Sequence, residues 1–373
     1  MTESRADDAD PVIASVGTAL PGDALPQETI LRETMRLWDS RDLQFDEEWV
    51  SHFFESVGVD QRHLALPPET YLQMETFGDS NRHFIEEATR LGAESIESAC
   101  ELAGIVPDDV DAIFFTTVTG VASPSIDAKV INALEMGRQT RRTPMFGLGC
   151  VGGAAGVARM ADYLRGHPDH TAVLLSVELC SLTIERHDLS VADYIAAALF
   201  GDGAAAVVGM GAEAAETNGA DGPTVVDSRS FFYRDTEWVM GWDIDHEGFG
   251  LVLSGDLPEV IRTEVPSDAR DFFADVGFSH RDVTRWISHP GGPKVLEALT
   301  DALELPDDAL DSAWESLRTI GNLSSASVLH VLKQTIEQPS WHDGGDESAG
   351  PAPAVMMAMG PGFSAEFVAL ERE

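Results

Sequence analysis

Apolar residues fall along this chain in two rhythms. Short unbroken runs, Ile113-Phe114-Phe115-Thr116-Thr117-Val118, Ala172-Val173-Leu174-Leu175-Ser176-Val177 and Ala204-Ala205-Ala206-Val207-Val208, have the length and content of strands buried on both faces. Val12-Ile13-Ala14-Ser15-Val16 reads as a further short strand. Between these runs, apolar residues return at helical spacing. Gln27 to Leu37 and Glu47 to Val57 each predict one helix, and Arg82 to Leu102 reads as a helix pair with acidic faces. Buried strands alternating with amphipathic helices predict an α/β fold. Gly211 to Pro223 is small, acidic and glycine-containing, so it reads as an exposed linker between two halves. The expected organisation is a disordered tail over 1–10, an N-terminal half over 11–222 and a C-terminal half over 223–373. His342 to Pro353 reads as a second exposed loop.

The two halves echo each other. Gly104, Asp109, Val110 and Ile113 precede Thr116, and Gly277, Asp282, Val283 and Trp286 precede His289, every pair separated by 173 positions. Gly149-Cys150-Val151-Gly152-Gly153-Ala154 is echoed 172 positions on by Gly321-Asn322-Leu323-Ser324-Ser325-Ala326. Both blocks open an apolar helical stretch. The repeat predicts a duplicated α/β fold with Cys150 and Asn322 at equivalent helix starts and His289 at a strand end. Strand ends and helix starts are where α/β proteins gather polar chemistry.

Composition narrows the class. The net charge is −40, yet the hydrophobic share is 43%, so the chain has a folded core under an acidic shell. Lysine occurs only at Lys129, Lys294 and Lys333. This charge excludes nucleic acid and anionic membrane as expected partners, and it fits a salt-rich cytoplasm. No apolar run is long enough for a membrane span, and the first residues lack the pattern of a signal peptide. Cys100, Cys150 and Cys180 make neither a disulfide framework nor a spaced metal site.

The stretch from Gly147 to Gly156 is the strongest chemical candidate. Met145-Phe146 leads in as the end of a buried strand, and Val157 to Leu164 leads out as a helix. Cys150 is therefore expected at a helix N-terminus, whose partial positive charge lowers a thiol pKa. Small residues around it let a ligand or another backbone come close. His289 stands in Ser288-His289-Pro290-Gly291-Gly292-Pro293, and Asn322 opens the second helical block. A thiol, an imidazole and an amide donor are the groups acyl transfer requires.

At these residues the chain resembles the type III polyketide synthases, the chalcone and stilbene synthase-like group of the thiolase superfamily. The motifs that carry the resemblance are Gly149-Cys150, Leu199-Phe200-Gly201-Asp202-Gly203, Ser288-His289-Pro290-Gly291-Gly292-Pro293, Gly321-Asn322-Leu323-Ser324-Ser325-Ala326 and Gly360-Pro361-Gly362-Phe363. The resemblance implies a duplicated thiolase-like five-layered αβαβα fold and a homodimer. It implies that acyl-CoA and malonyl-CoA are substrates, with no cofactor besides these coenzyme A thioesters. It makes Cys150 the nucleophile, with His289 and Asn322 as its partners in a decarboxylative Claisen condensation. A cyclisation to a pyrone or phenolic product follows. Phe200 matches a gatekeeper phenylalanine, and Leu251 stands where a second phenylalanine is usual. A wider cavity mouth and aliphatic starters are the expected result. Glu178 matches a buried glutamate near the cavity, and Ser123 falls near the loop that reaches the partner's cavity. Arg62 is the one weak candidate for a coenzyme A contact, with an ordinary surface arginine as the alternative. The runner-up function is an initiating-type β-ketoacyl-acyl carrier protein synthase, which uses the same three residue types but needs a basic docking surface. A hydroxymethylglutaryl-CoA synthase and a thiolase-fold binding protein are weaker readings still.

Overall fold

The computed structural model describes residues 10–38, 43–187, 189–246, 248–338 and 352–372. Nine strands form one hydrogen-bonded series. Its order is Arg285–Ser288, Ala352–Gly360, Ser364–Arg372, Thr224–Phe232, Val12–Ala19, Asp202–Met210, Thr171–Leu179, Ala112–Thr117 and Arg141–Phe146. In its middle the series is joined only at Val12 and Thr224, so it is in effect two sheets meeting at a corner. From that corner outward the two sheets repeat one pattern. Two antiparallel pairings are followed by a parallel one. The first sheet then adds Arg141–Phe146 as an extra parallel edge strand.

Five layers follow. The helix Phe77–Ala103 covers the outer face of the first sheet, and Leu257–Val276 covers the outer face of the second. The helices Gly152–Arg165 and Ser327–Ile336 lie between the sheets and touch both. This is the αβαβα arrangement expected from the resemblance. The middle strands have no solvent face: Thr171–Leu179 and Asp202–Met210 are buried at every residue, which explains their continuous apolar runs. Among the described residues, no helix is long and apolar enough to cross a membrane.

The duplication is visible in local chemistry. The Asp109 carboxylate accepts the Val106 N–H at 3.0 Å, and the Asp282 carboxylate accepts the Ser279 N–H at 2.7 Å. Each turn then feeds a parallel strand. At the second block the structure corrects the expected register. The helices begin at Gly152 and Ser327, and each is preceded by a 3-10 turn whose first residue has a positive φ, 53° at Gly149 and 47° at Ser324. The separation is therefore 175, and Cys150 is equivalent to Ser325, not Asn322. Matching the glycines misled the sequence alignment, because Gly321 closes the preceding helix Asp311–Ile320 and does not open the next.

Three further expectations change. Arg82 to Leu102 lies in a single 27-residue helix, Phe77–Ala103, started by a capping box between Thr76 and Asp79. The segment read as a linker holds the helix Ala212–Asn218. The strand leading to Cys150 is an edge strand, exposed at five of its six residues, because none of the described residues covers that end of the sheet. The loop read at His342 to Pro353 lies outside the described residues up to 351, and the strand Ala352–Gly360 includes Pro353. The tail read over 1–10 lies outside them except for Asp10.

The two middle helices meet at Gly153. A β-carbon there would lie 2.2 Å from the Ser325 carbonyl oxygen and 2.7 Å from Val328. Alanine normally favours a helix interior over glycine. Here Gly153→Ala is expected to lower the unfolding free energy by about 1–3 kcal/mol, the range for overpacking. Gly255→Ala, with open space around the position, should stay within about 0.5 kcal/mol of the parent. Denaturant unfolding of the two variants checks the contact.

Candidate active site

The Cys150 turn is built by close approach. Gly149 adopts a φ of 53°, and a β-carbon on it would lie 2.6 Å from Pro361. The Gly360-Pro361-Gly362 loop thus packs on the turn and fixes where Cys150 points. The thiol is half-buried and its Sγ lies 3.7 Å from the Ser324 Oγ. From Ser324 a chain of contacts leads to the other two candidates. The Ser324 N–H donates to Asn322 Oδ1 at 2.8 Å. Asn322 Nδ2 donates to the Gly291 carbonyl at 3.4 Å, and the Gly291 N–H donates to the His289 carbonyl at 2.9 Å. The Oδ1 bond fixes the orientation of the amide, because it leaves Nδ2 as the outward donor. His289 directly follows the strand Arg285–Ser288, and its own N–H is held by the Met357 carbonyl at 2.9 Å. Its imidazole is buried, and neither ring nitrogen has a hydrogen-bond partner among the described residues. The fold therefore sets Cys150 and Asn322 on either side of Ser324, and the Gly291 backbone joins Asn322 to the His289 backbone.

Electrostatics corrects one expectation. Cys150 lies in the 3-10 turn just before the helix, and burial outweighs any lowering of its pKa by the helix terminus. Burial pushes the thiol up to about 12, and the nearby Glu178 charge acts in the same direction, against the Ser324 hydrogen bond. Burial alone pulls His289 down to about 3. Burial thus disfavours the charged form of each group.

Glu178 is buried and its oxygens are engaged. Oε2 accepts from the Val118 N–H at 3.0 Å, Thr119 Oγ1 at 2.9 Å and Thr117 Oγ1 at 3.3 Å. Oε1 accepts from Ser325 Oγ, and Ser325 also contacts Ser176 Oγ at 2.8 Å. Burial raises its pKa, and these bonds oppose the rise. The carboxylate thus ties the strand Thr171–Leu179 to the start of the second middle helix. Phe200 flanks Asn322 in a short parallel bridge: the Asn322 N–H donates to the Leu199 carbonyl and the Gly201 N–H to the Asn322 carbonyl, both at 2.9 Å.

Leu251 lies in the hairpin Met240–Ile244 and Phe249–Leu253, directly opposite Trp242. Cross-strand partners share a face, so an indole stands beside the smaller leucine. Trp242 lines a groove of about 1020 Å³ with Leu148 and Val151, the neighbours of the Cys150 turn. No contact joins Leu251 to Cys150 here. Ser123 is exposed on a loop whose Val121 backbone is clamped by Asn81 at 2.9 Å in both directions. Arg62 is neither a surface arginine nor an open coenzyme A contact: it is 1% exposed. Sequence reasoning passed over Ser324, Ser325, Thr117 and Thr119. The only available signal was the density of hydroxyls beside the motifs. Among the described residues, no group of three or more His, Cys, Asp or Glu is placed to hold a metal.

Comparison with known proteins gives the class. The chalcone and stilbene synthase N-terminal domain matches residues 1–214, and the C-terminal domain matches 225–372. A 1,3,6,8-tetrahydroxynaphthalene synthase of Streptomyces peucetius subsp. caesius is 46% identical over 361 residues, 96% of this chain and 92% of that protein. A phloroglucinol synthase of Pseudomonas fluorescens is 30% identical over 310 residues, 83% of this chain and 84% of that protein. The crystal structure of the tetrahydroxynaphthalene synthase of Streptomyces coelicolor superposes with a TM-score of 0.86 at 27% identity, covering 97% of this chain and 99% of that one. A polyketide synthase from the brown alga Ectocarpus siliculosus shares the fold, with a TM-score of 0.88 at 23% identity over 99% of this chain and 100% of that one. The chain belongs to the chalcone and stilbene synthase family. It is a type III polyketide synthase, an acyltransferase-type condensing enzyme, and the initiating-type ketoacyl synthase is not favoured.

The Cys150–His289 pairing that the resemblance implies gives a direct expectation. Alkylation of Cys150 by iodoacetamide should move to higher pH in His289→Ala, since the raised thiol then has no acceptor for its proton. Peptide mass spectrometry across a pH series measures this. A variant that alkylates with the parent's pH profile would contradict the pairing.

Proposed function

We propose that the enzyme builds an aromatic polyketide from malonyl-CoA, with the chain held as a thioester on Cys150. The observation that carries this reading is the run of contacts from Cys150 through Ser324 and Asn322 to the Gly291-His289 backbone, which ends at a buried imidazole with no hydrogen-bond partner among the described residues. The Cys150 proton passes to His289. The thiolate then attacks the starter thioester, and coenzyme A leaves with the proton. A second malonyl-CoA places its thioester carbonyl against the imidazole N–H and the Asn322 amide. Loss of carbon dioxide leaves the electron pair on the enolate, where those donors act on the developing charge. The enolate attacks the Cys150 thioester and expels the thiolate, giving a lengthened coenzyme A ester that reloads. Each acyl transfer exchanges one C–S bond for another, and the C–C bond lost with carbon dioxide supplies the electron pair of the new C–C bond, so these steps call for no oxidant, reductant or small molecule besides the coenzyme A thioesters.

The similarity to tetrahydroxynaphthalene synthases favours a malonyl-derived starter. A naphthalene skeleton has ten carbons, with oxygens on alternate positions, as five two-carbon units supply. A starter of this size makes no demand on a wide mouth, which agrees with Trp242 standing across from Leu251. Phe200 and Leu251 are then residues of the passage and Ser123 a residue offered to the partner's cavity. Glu178 acts through Ser325 and does not touch the chain.

We also propose a homodimer formed along Arg141–Phe146, in a salt-rich cytoplasm. One end of the strand series, Arg285–Ser288, is buried at three of four residues, whereas the other end is bare. A bare edge offers unpaired N–H and C=O groups to another strand. Phe146 on it is 52% exposed, and the groove beside it is lined by Phe232 and Trp242.

Three experiments test these readings. Malonyl-CoA alone should give a ten-carbon aromatic product by mass spectrometry. His289→Ala and Asn322→Ala should each slow malonyl-CoA decarboxylation by about 100-fold or more, the scale for an oxyanion donor. Parent-like decarboxylation in either variant would remove that residue from the mechanism. Light scattering should report a dimer whose fraction rises with KCl, because salt screens repulsion between two chains of net charge −40. Phe146→Asp should be monomeric. A parent protein that is monomeric at every salt concentration would contradict the interface.

A further inference from the structure

We propose that Arg62 is a positioning residue for decarboxylation, holding the Asn322 amide in register; this rests on the reading of Asn322 as a donor to the malonyl thioester. The helix Val191–Leu199 ends beside Asn322, and each of its last carbonyls has a defined partner. Arg62 Nη2 donates to the Ala197 carbonyl at 2.8 Å, and Gln27 Nε2 donates to the Ala198 carbonyl at 2.7 Å. The Asn322 N–H donates to the Leu199 carbonyl, and Arg62 Nη1 donates to the Phe200 carbonyl at 2.5 Å. Gln27 Oε1 in turn accepts from Arg62 Nε at 3.2 Å and Nη2 at 2.9 Å. The guanidinium fork thus spans Ala197 and Phe200, on either side of the carbonyl that fixes the Asn322 backbone.

A second tie runs through Gly321. A β-carbon on that residue would lie 2.8 Å from Arg62 Cδ and 2.9 Å from the Leu199 carbonyl. The residue before Asn322 therefore rests on the Arg62 stem, so Asn322 is bounded by Arg62 through both its neighbour and its hydrogen bond. A cation at a helix carbonyl end is favoured by the helix dipole, and no water-facing lysine could make the same fork. Burial pulls the Arg62 pKa down to about 10, with the Asp202 carboxylate opposing, so the side chain keeps its charge at neutral pH. Cys150 has no bond to this clamp. Its turn is fixed by Pro361 and Ser324 instead. The two halves of the reaction should therefore respond differently when the clamp is cut.

The test uses the full-length enzyme with malonyl-CoA labelled in its free carboxylate. Release of labelled carbon dioxide depends on the Asn322 donor together with His289, whereas iodoacetamide alkylation reports Cys150 and its pairing with His289 and does not require Asn322. In Arg62→Gln, carbon dioxide release per folded enzyme should fall by about tenfold to 100-fold, the scale of an ångström's misplacement. The loss should lie in kcat more than in KM, with alkylation much less affected. Arg62→Lys, which keeps the charge but cannot span the same acceptors, should recover part of the rate. If Arg62→Gln does not fold, Gln27→Leu decides, since it removes the acceptor of two guanidinium bonds. A several-fold drop in carbon dioxide release with alkylation retained supports the assignment, and a parent-like rate overturns it. Equal loss of both readouts in folded Arg62→Gln marks a purely structural role and also overturns it. Parent-like decarboxylation in Asn322→Ala would instead remove the underlying reading.

Discussion

The crossing of two helices in the middle layer is the constraint on which the rest depends. Gly152–Arg165 and Ser327–Ile336 approach until Gly153 has no room for a β-carbon against the Ser325 carbonyl. That contact sets the turns of the two halves against each other. Cys150 belongs to one turn and Ser324 to the other, and the 3.7 Å contact between them is the seam of the duplication. Asn322 and His289 reach the seam from the second half, through the Ser324 N–H and the Gly291 backbone. A wider crossing would separate the thiol from both donors while leaving each half's sheet intact.

Burial sets the chemistry of the seam. Burial makes an isolated thiolate and an isolated imidazolium unfavourable, which is why Cys150 is pushed up and His289 down. The same burial strengthens any hydrogen bond made to an enolate formed there. Glu178 stays next to the seam because four donors satisfy its oxygens. Hydroxyls from Thr117, Thr119 and Ser325 thus keep a buried carboxylate from becoming an unpaired polar group.

Much of this was legible in the chain. The middle strands announced themselves because full burial leaves no polar alternation. The duplication showed where it has a local cause, since Asp109 and Asp282 each close the same turn by a side-chain bond. The register of the second block was misread because a glycine ending one helix looks like a glycine opening the next. Arg62 was misread because sequence carries residue type and not environment. Its partners are backbone carbonyls and Gln27, and the one acidic residue beside it in sequence, Asp60, accepts from Arg318 instead. The exposed edge before Cys150 was read as buried because Met145 and Phe146 are apolar. Apolarity fits an interface as well as a core. The place of Leu251 needed the hairpin register, which sets Trp242 across from it.

The central claim is that Cys150, and no other thiol, carries the growing chain. The direct measurement is acid quenching during turnover of malonyl-CoA, proteolysis, and mass spectrometry of the three cysteine-containing segments. The account predicts acyl adducts differing by two-carbon ketide steps on the peptide containing Cys150, and unmodified Cys100 and Cys180, which are buried. Adducts on Cys180 or Cys100, or product formed at the parent rate with Cys150 unmodified throughout, would contradict it.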